Sequence, residues 1–550
     1  MTAMIIRFQP ALAPIAPTFR PWVLALVQGL LPLLLRLRIV PWLPAAISRI
    51  EVEGDDVLAH CWQRFGRGQA RLILAFRHVE VDDPLLGLHL LSRALPRRAA
   101  RLGLNLPAPL HAQFLFDRGM PLWGGRPLGW LLASLGGVSL RRGRQPDWTA
   151  LRQARQLVLA GRFPFAVAPE GATNGHSERI GPLEQGVAQL ALWCVDDLRQ
   201  AGRDEAVLLL PIAIQYTYVK ADWPRLAALM ATLEARIGIT APEPRSQPAK
   251  AAGAGPGADD ASAVDEPYYG RLVRIGEALL DRLEGFYGGC REQPPNRKES
   301  ERGGSRPLGP GALKPESAGS ESFSAGGAAT NGASTVGLGE LIAAMAPPPT
   351  GRSRDGEPGQ QAARLRPYQP APQPCQARSL AGRIDQLVER CLALAESCFG
   401  CPASGTAEQR CRRLEEQSWR WIYREDLPPR RQLSPLDRAL ADRAAHGASL
   451  AVMPMRLAET FVAVSCTYVA ERPSFERFME TTLLIHDALA RICGAGLPAR
   501  PRLGARRARI SIGAAIDVSA CCQGRAKGER RQLLACLSED LRRAFEQALI

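Results

Sequence analysis

Ala70-Arg71-Leu72-Ile73-Leu74-Ala75-Phe76-Arg77-His78-Val79-Glu80-Val81-Asp82-Asp83 is the stretch from which the fold is read. Leu72 to Phe76 is a short, unbroken apolar run of the kind that makes a strand buried on both sheet faces. Past the strand end comes His78, and five residues later Asp83, followed by Pro84 and a leucine-rich segment to Leu95. Asp before Pro is a strong helix start, because the carboxylate accepts orphan N–H groups and Pro at the first helical position forgoes one it would not have used. Five residues at about 100° each would leave His78 and Asp83 roughly 140° apart around a helix, so the two meet only through a turn. An imidazole next to a carboxylate is held in one tautomer and made a better base, which activation of a hydroxyl nucleophile requires. A plainer alternative has Asp83 capping its helix and His78 ending its strand with no further role.

Working outward, helical and strand-like segments alternate. Leu85 to Leu95 reads as helix, Gly136 to Leu140 as a short strand, Trp148 to Ala160 as helix and Phe163 to Ala168 as strand. Glu184 to Gln200 is helical, with Leu190, Ala191, Trp193, Cys194 and Leu198 on its apolar side, and Val207 to Gln215 is a strand. This alternation predicts an α/β fold with a largely parallel central sheet flanked by helices. Loops at the strand ends then face one crevice, where such sheets hold their ligands.

The chain has 550 residues, 46% of them hydrophobic, which is ample for an α/β core. Its net charge of +15 favours anionic partners such as lipid surfaces, acidic carriers or phosphorylated substrates. Nucleic acid is not expected, since the arginines are dispersed and no binding motif interleaves them with aromatics. No G-x-S-x-G elbow and no G-x4-G-K-[ST] phosphate loop is present, which argues against a serine hydrolase and a P-loop nucleotide enzyme. The 13 cysteines are odd in number and scattered, so a reducing compartment is expected rather than a disulfide framework. Cys391, Cys398, Cys401 and Cys411 include one C-x2-C but lack a second close pair or spaced histidines, so they read as thiols, and no metal or cofactor is expected.

Residues 1–50 contain no acidic residue and carry Arg7, Arg20, Arg36, Arg38 and Arg49. Between them Trp22 to Leu35 is largely apolar and includes Pro32. As a helix this run of about 14 residues rises about 21 Å, short of a hydrocarbon core of about 30 Å. Flanking Trp22 and Trp42, with arginines directly after the run, suit a helix lying in the membrane interface. A buried core helix and a true span or targeting peptide are the alternatives.

His78-Val79-Glu80-Val81-Asp82-Asp83 resembles the H-x4-D motif of glycerolipid acyltransferases, the 1-acylglycerol-3-phosphate acyltransferase family. Three further blocks follow in the family's order, and the likeness spans roughly Gln69 to Ile214. Gly137 to Arg142 is similar to the second block, Ala168-Pro169-Glu170-Gly171 to the third and Leu210-Pro211-Ile212 to the fourth. The resemblance implies transfer of a fatty acyl group from an acyl thioester, on coenzyme A or an acyl-carrier protein, to a hydroxyl of a lysophospholipid-type acceptor at a membrane surface, without metal. It implies His78 as general base, Asp83 as its orienting partner, Arg142 as ligand of the acceptor's phosphate and Glu170 with Gly171 as the acceptor-positioning turn. Arg141, Arg144 and Arg179 are further candidate phosphate contacts. The third block departs from the family's F-P-E-G-T-R after Gly171, and Glu184-Gln185-Gly186 stands where a lysine is usual before x-G. Those departures keep open an acceptor without a phosphate; a membrane-bound scaffold without activity is the reading from another class.

Family members close their sheet soon after the fourth block with a strand reading roughly I-x-x-G-x-P-I. Here nothing similar appears until Ile510-Ser511-Ile512-Gly513-Ala514-Ala515-Ile516. The expected organisation is therefore a membrane-interfacial segment at residues 1–50, an acyltransferase core at 51–221, and an insertion at 222–505. Residues 506–550 supply the closing strand and helix. Within the insertion, 289–374 is too rich in Ser, Gly, Pro and Ala to order itself, and 380–493 reads as amphipathic helices. The expected location is the membrane surface on its cytoplasmic side, held peripherally or monotopically.

Overall fold

The structure is a computed structural model that describes residues 6–10, 12–37, 46–141, 147–171, 173–239, 261–288, 379–463, 466–494, 499–524 and 527–549. Its strands, in chain order, are β1 (Gln9–Pro10), β2 (Ile47–Glu53), β3 (Ala70–Phe76), β4 (Gln113–Asp117), β5 (Gly137–Leu140), β6 (Phe165–Val167), β7 (Ala206–Tyr218), β8 (Tyr423–Arg424), β9 (Arg506–Ile512) and β10 (Ile516–Asp517). The main sheet has the order β2-β9-β7-β3-β6-β4-β5, with β10 added beside β7. β7, β3, β6, β4 and β5 are mutually parallel, while β9 is antiparallel to β7 and parallel to β2. The protein is thus α/β with a mostly parallel central sheet.

β3 holds the centre because successive side chains enter opposite cores. Leu72 and Leu74 pack with Leu210, Ile212, Ile510 and the helical residues Leu58, Trp62 and Leu86. Ile73 and Ala75 face the other way, against Val158 of helix Trp148–Ala160, Leu190 and Cys194 of helix Gly186–Gln200, and Leu537 and Phe545 of helix Arg530–Ala548. Helices therefore cover both faces, which leaves the carboxyl ends of the parallel strands to form the crevice.

The helix after the first block is longer than its leucine run suggested. It begins at Asp83–His89, passes through a π turn at Leu90–Ala94 and continues as Leu95–Arg101. Pro96 has no N–H for the carbonyl four residues back, and the wider turn just before it accommodates that loss. The closing strand, expected to run in one piece through Ile510 to Ile516, is two pieces. β9 pairs Ile512 with Ile212, whereas β10 pairs Ile516 with Leu209, so the later strand spends four residues where β7 spends three. This is a one-residue bulge opposite Pro211, which has no N–H to give the ladder; Gly513 N–H donates to the Pro211 carbonyl at 3.0 Å. β2, β4 and helices Asp55–Gly66 and Trp223–Ile237 were not anticipated at all, while helix Pro435–Ala451 falls within the helical stretch expected at 380–493.

Helix Pro21–Arg36 is docked, not detached. Val23, Leu24, Val27, Leu31 and Leu35 are buried, while Trp22, Leu26, Leu30, Leu33 and Leu37 are exposed. At 100° per residue the exposed Trp22, Leu26, Leu30 and Leu33 fall within about 80° of arc, adjoining the arc of the buried set, with the two centres about 120° apart. Trp130, also exposed, lies beside Trp22 at 6.1 Å between ring centres. Elsewhere, Pro435–Glu471 is the one described run long and apolar enough to cross a membrane by length and composition, although 57% of its apolar window is buried within the protein. Residues 289–374 and 38–45 lie outside the described residues.

β9 is held on both sides, by seven paired positions along β7 and by β2. A chain ending at Gly504 is expected to lose the sheet interior, giving no cooperative unfolding transition by circular dichroism; a cooperatively folded truncate would place the closing strand elsewhere.

Candidate functional site

The turn that brings the first-block residues together is made by residues 80 to 83. Asp83 N–H donates to the Glu80 carbonyl at 3.2 Å and Glu80 N–H donates to Asp83 Oδ2 at 2.9 Å. That reciprocal pair swings the Asp83 carboxylate back toward the strand end, where Oδ2 lies 3.0 Å from His78 Nδ1. The capping alternative does not hold, since the helix N-terminus at Asp83 has no side-chain cap. Asp83 is fully buried while the His78 side chain is 23% exposed, so the dyad is anchored inside with its imidazole at the surface of the crevice. With Asp83 ionised, the Nδ1 proton is committed to it, and Nε2 is left as the acceptor.

Behind Asp83 is a buried polar cluster. The Tyr216 hydroxyl, on β7, donates to Asp83 Oδ1. Asp82 is also fully buried and pairs with Arg506, the first residue of β9. Arg506 lies 4.6 Å over the Tyr216 ring. Burial, reinforced by Asp82 and Asp83, pushes the Tyr216 phenol well above its usual range, which keeps it a donor. Glu80 is held by Arg500 at 2.9 Å, and the same guanidinium holds Asp487 at 2.9 Å.

The third block sits beside the first. Arg77, the neighbour of His78, is completely buried and donates to Glu170 Oε1 at 3.1 Å. It also donates to the carbonyls of Ser177, His176 and Arg179 at 2.7–3.1 Å. Glu170 is thus a buried partner that fixes the loop from 170 to 181; burial raises its pKa, and Arg77 opposes that rise. Gly171 has φ of +72°, a left-handed conformation that favours glycine. Gly175 N–H donates to the Val79 carbonyl at 3.1 Å, stitching this loop to the first block.

The second block is less complete. Arg141 is present at the end of β5, but Nη1 pairs with Glu425 at 2.6 Å. Arg142 and Arg144 lie outside the described residues. Arg179 contributes its carbonyl to Arg77 and its side chain is exposed. His78, Asp83 and Glu170 are therefore joined through adjoining residues; Arg179 shares the Glu170 loop with its side chain exposed, and Arg141 sits on a separate loop along the same sheet edge.

Residues of the insertion contact the loops of the first three blocks. Arg500, just after the helices, reaches Glu80; Glu425 reaches Arg141; Arg412 reaches Glu184, which is 2.3 Å from where a Cβ on Gly171 would stand. Arg477 pairs with Glu178 at 2.8 Å, and Glu476 accepts from Tyr218 N–H at 3.1 Å. Glu480 accepts from Ser177 N–H at 3.0 Å and bonds the Tyr468 hydroxyl at 2.6 Å. The insertion thus covers the carboxyl edge of the sheet through a largely polar seam. Tyr216, Asp82 and Arg506 escaped sequence reasoning, although Tyr216 lies two residues beyond Ile214 and so shares the inward parity of Leu210, Ile212 and Ile214. Arg506 carried no comparable signal.

Comparison with known proteins finds no matching family model, no matching curated protein and no matching solved structure.

Burial raises the Glu480 carboxyl to about 7, above the ordinary 4.5 of the unfolded chain. A raised folded pKa means the folded form holds more protons, so this contribution to stability is full below about pH 4.5 and declines as pH rises to about 7. Glu480→Gln is expected to flatten that part of the melting-temperature profile. A wild-type profile already flat between pH 4.5 and 7, or one unchanged by the substitution, would refute this.

Proposed function

We propose that the protein is an acyltransferase moving a fatty acyl group from an acyl thioester to a hydroxyl of a glycerolipid acceptor such as 1-acylglycerol-3-phosphate, in phospholipid synthesis. The observation that carries this reading is the contact of His78 Nδ1 with the buried Asp83 carboxylate at the carboxyl end of the central strand. His78 Nε2 takes the acceptor hydroxyl proton as that oxygen attacks the thioester carbonyl. A carbon–oxygen bond forms, the carbon–sulfur bond breaks, and the proton passes from His78 to the departing thiolate. Asp83 stabilises the imidazolium between these steps. The donor is acyl-CoA or acyl-carrier protein, and Arg142, with Arg141, Arg144 and Arg179 nearby in sequence or along the same edge, would meet the acceptor's phosphate.

The exposed stripe Trp22, Leu26, Leu30 and Leu33, with Trp130 beside it, supports peripheral or monotopic seating on a membrane. Free thiols such as Cys194, Cys391 and Cys411 are consistent with a reducing, cytoplasmic side. A second reading, an acceptor without phosphate, is favoured by the pairing of Arg141 with Glu425 and of Glu184 with Arg412.

Purified protein offered acyl-CoA or acyl-carrier protein, with either 1-acylglycerol-3-phosphate or an uncharged monoacylglycerol, tests both readings. His78→Ala is expected to lower kcat by about 10²–10⁴-fold without loss of fold. Wild-type turnover in a folded His78→Ala protein would defeat the mechanism, and no transfer to any acceptor would defeat the assignment.

Replacing Leu26 and Leu30 by Glu should release the protein from anionic lipid vesicles in a flotation assay while leaving the buried face of the helix intact. Undiminished flotation of that double variant would remove this helix from the membrane contact.

A further inference from the structure

Two carboxylates, Asp82 and Asp83, are buried side by side, Asp82 at 0% and Asp83 at 1% exposure. Two such charges in a poorly solvated place are tolerable only if each is matched by a cation or by hydrogen bonds. The chain divides the labour. Arg506 pairs with Asp82 Oδ2. Asp83 instead accepts from Glu80 N–H and His78 at Oδ2 and from the Tyr216 hydroxyl at Oδ1. The Tyr216 oxygen also lies 3.3 Å from Asp82 Oδ1, but the phenol has one proton, and the closer Asp83 oxygen takes it. Burial works against the Arg506 charge, and Asp82 and Glu80 outweigh it, so the guanidinium stays protonated.

We infer that Tyr216 and Arg506 are positioning residues for the His78–Asp83 dyad, so that the reactive loop is tuned by a strand that enters the sheet only after the insertion. This rests on the reading of His78 as the base. Arg506 neutralises Asp82, which leaves the negative charge of Asp83 for His78. Tyr216 fixes the Asp83 carboxylate from behind and takes up part of its negative charge, which sets how strongly Asp83 holds the imidazole. β7 supplies Tyr216 and β9 supplies Arg506, at neighbouring points of their ladder, where Tyr216 pairs with Ala508 and Tyr218 with Arg506. The other charged groups around the dyad are Glu80 and Arg500 on the first-block side and Glu170 with Arg77 on the third-block side. All are left in place by the substitutions below.

The experiment follows the His78 imidazole by NMR titration of the full-length protein, alongside acyl transfer as a function of pH. Tyr216→Phe removes only the hydroxyl. It is expected to raise the His78 pKa by about half a unit or more, through loss of a donor to its carboxylate partner. The acid limb of kcat/KM should move to higher pH by the same amount, and kcat should fall by about tenfold, the worth of one charge-assisted hydrogen bond, with acceptor KM little changed. Arg506→Met should raise the His78 pKa further, and Arg506→Lys should restore most of the wild-type value. A residue that served packing alone would change the melting temperature while leaving the His78 titration still. An unchanged His78 pKa and unchanged kcat in folded Tyr216→Phe would overturn the proposal, even if Arg506→Met failed to fold. Lack of acyl transfer by the wild-type protein would count against the proposed reaction, while the NMR titration would still decide whether these residues tune the dyad.

Discussion

The burial of β3 on both faces is the constraint on which everything else depends. A strand whose successive residues enter two different cores must lie in the interior of the sheet, with neighbours on each edge. β7 and β6 fill those places, and both run parallel to it. Parallel neighbours require crossovers, crossovers put helices on both faces, and the loops after β3, β5 and β6 then emerge at one edge. His78, Arg141 and Glu170 are brought to that edge by this geometry before any side chain chooses a partner. Arg77 completes the arrangement by turning into the protein at the strand end, where it ties the Glu170 loop to the His78 loop.

The second element of the design is that the sheet is finished by a segment more than 280 residues downstream of β7. The entropic cost of so long a connection grows only logarithmically and comes to about 3 kcal/mol beyond that of a ten-residue loop. What the insertion adds is a cover for the crevice. Its contacts with the core are arginine–carboxylate pairs, a buried glutamate and an aromatic edge, Tyr218 of β7 against Phe475 at 5.3 Å between ring centres. The exposed pairs, Arg141–Glu425 and Arg412–Glu184, contribute little net stability, whereas Arg500–Glu80 and Arg477–Glu178 are largely buried and costly to break.

The helix Pro21–Arg36 shows how one apolar segment serves two environments. Its arc of buried residues belongs to the core, and the arc beside it is equally apolar but exposed. Apolarity over most of its circumference, in so short a run, looks like a membrane segment when read alone. Only the packing of Leu31 and Leu35 against the main core, and of Val23, Leu24 and Val27 against Leu135, reveals that half of it belongs to the protein.

By itself the sequence determined the periodicities and therefore the class of fold. The apolar run at Leu72 to Phe76, the helix at Trp148–Ala160 and the strand at Ile510 to Ile512 were legible because local patterning reports burial directly. The H-x4-D spacing likewise marked His78 and Asp83 as a pair that a turn had to join. Pairings between residues far apart in the chain were decided by tertiary structure alone. No local pattern marks Arg506 as the counter-ion of Asp82, 424 residues away, nor Tyr216 as the donor to Asp83. The bulge opposite Pro211 and the π turn before Pro96 were hidden for a related reason, since each depends on what a neighbouring strand or turn can accept. Periodicity is a property of one segment, whereas the neutralisation of a buried charge is a property of the place into which several segments fold.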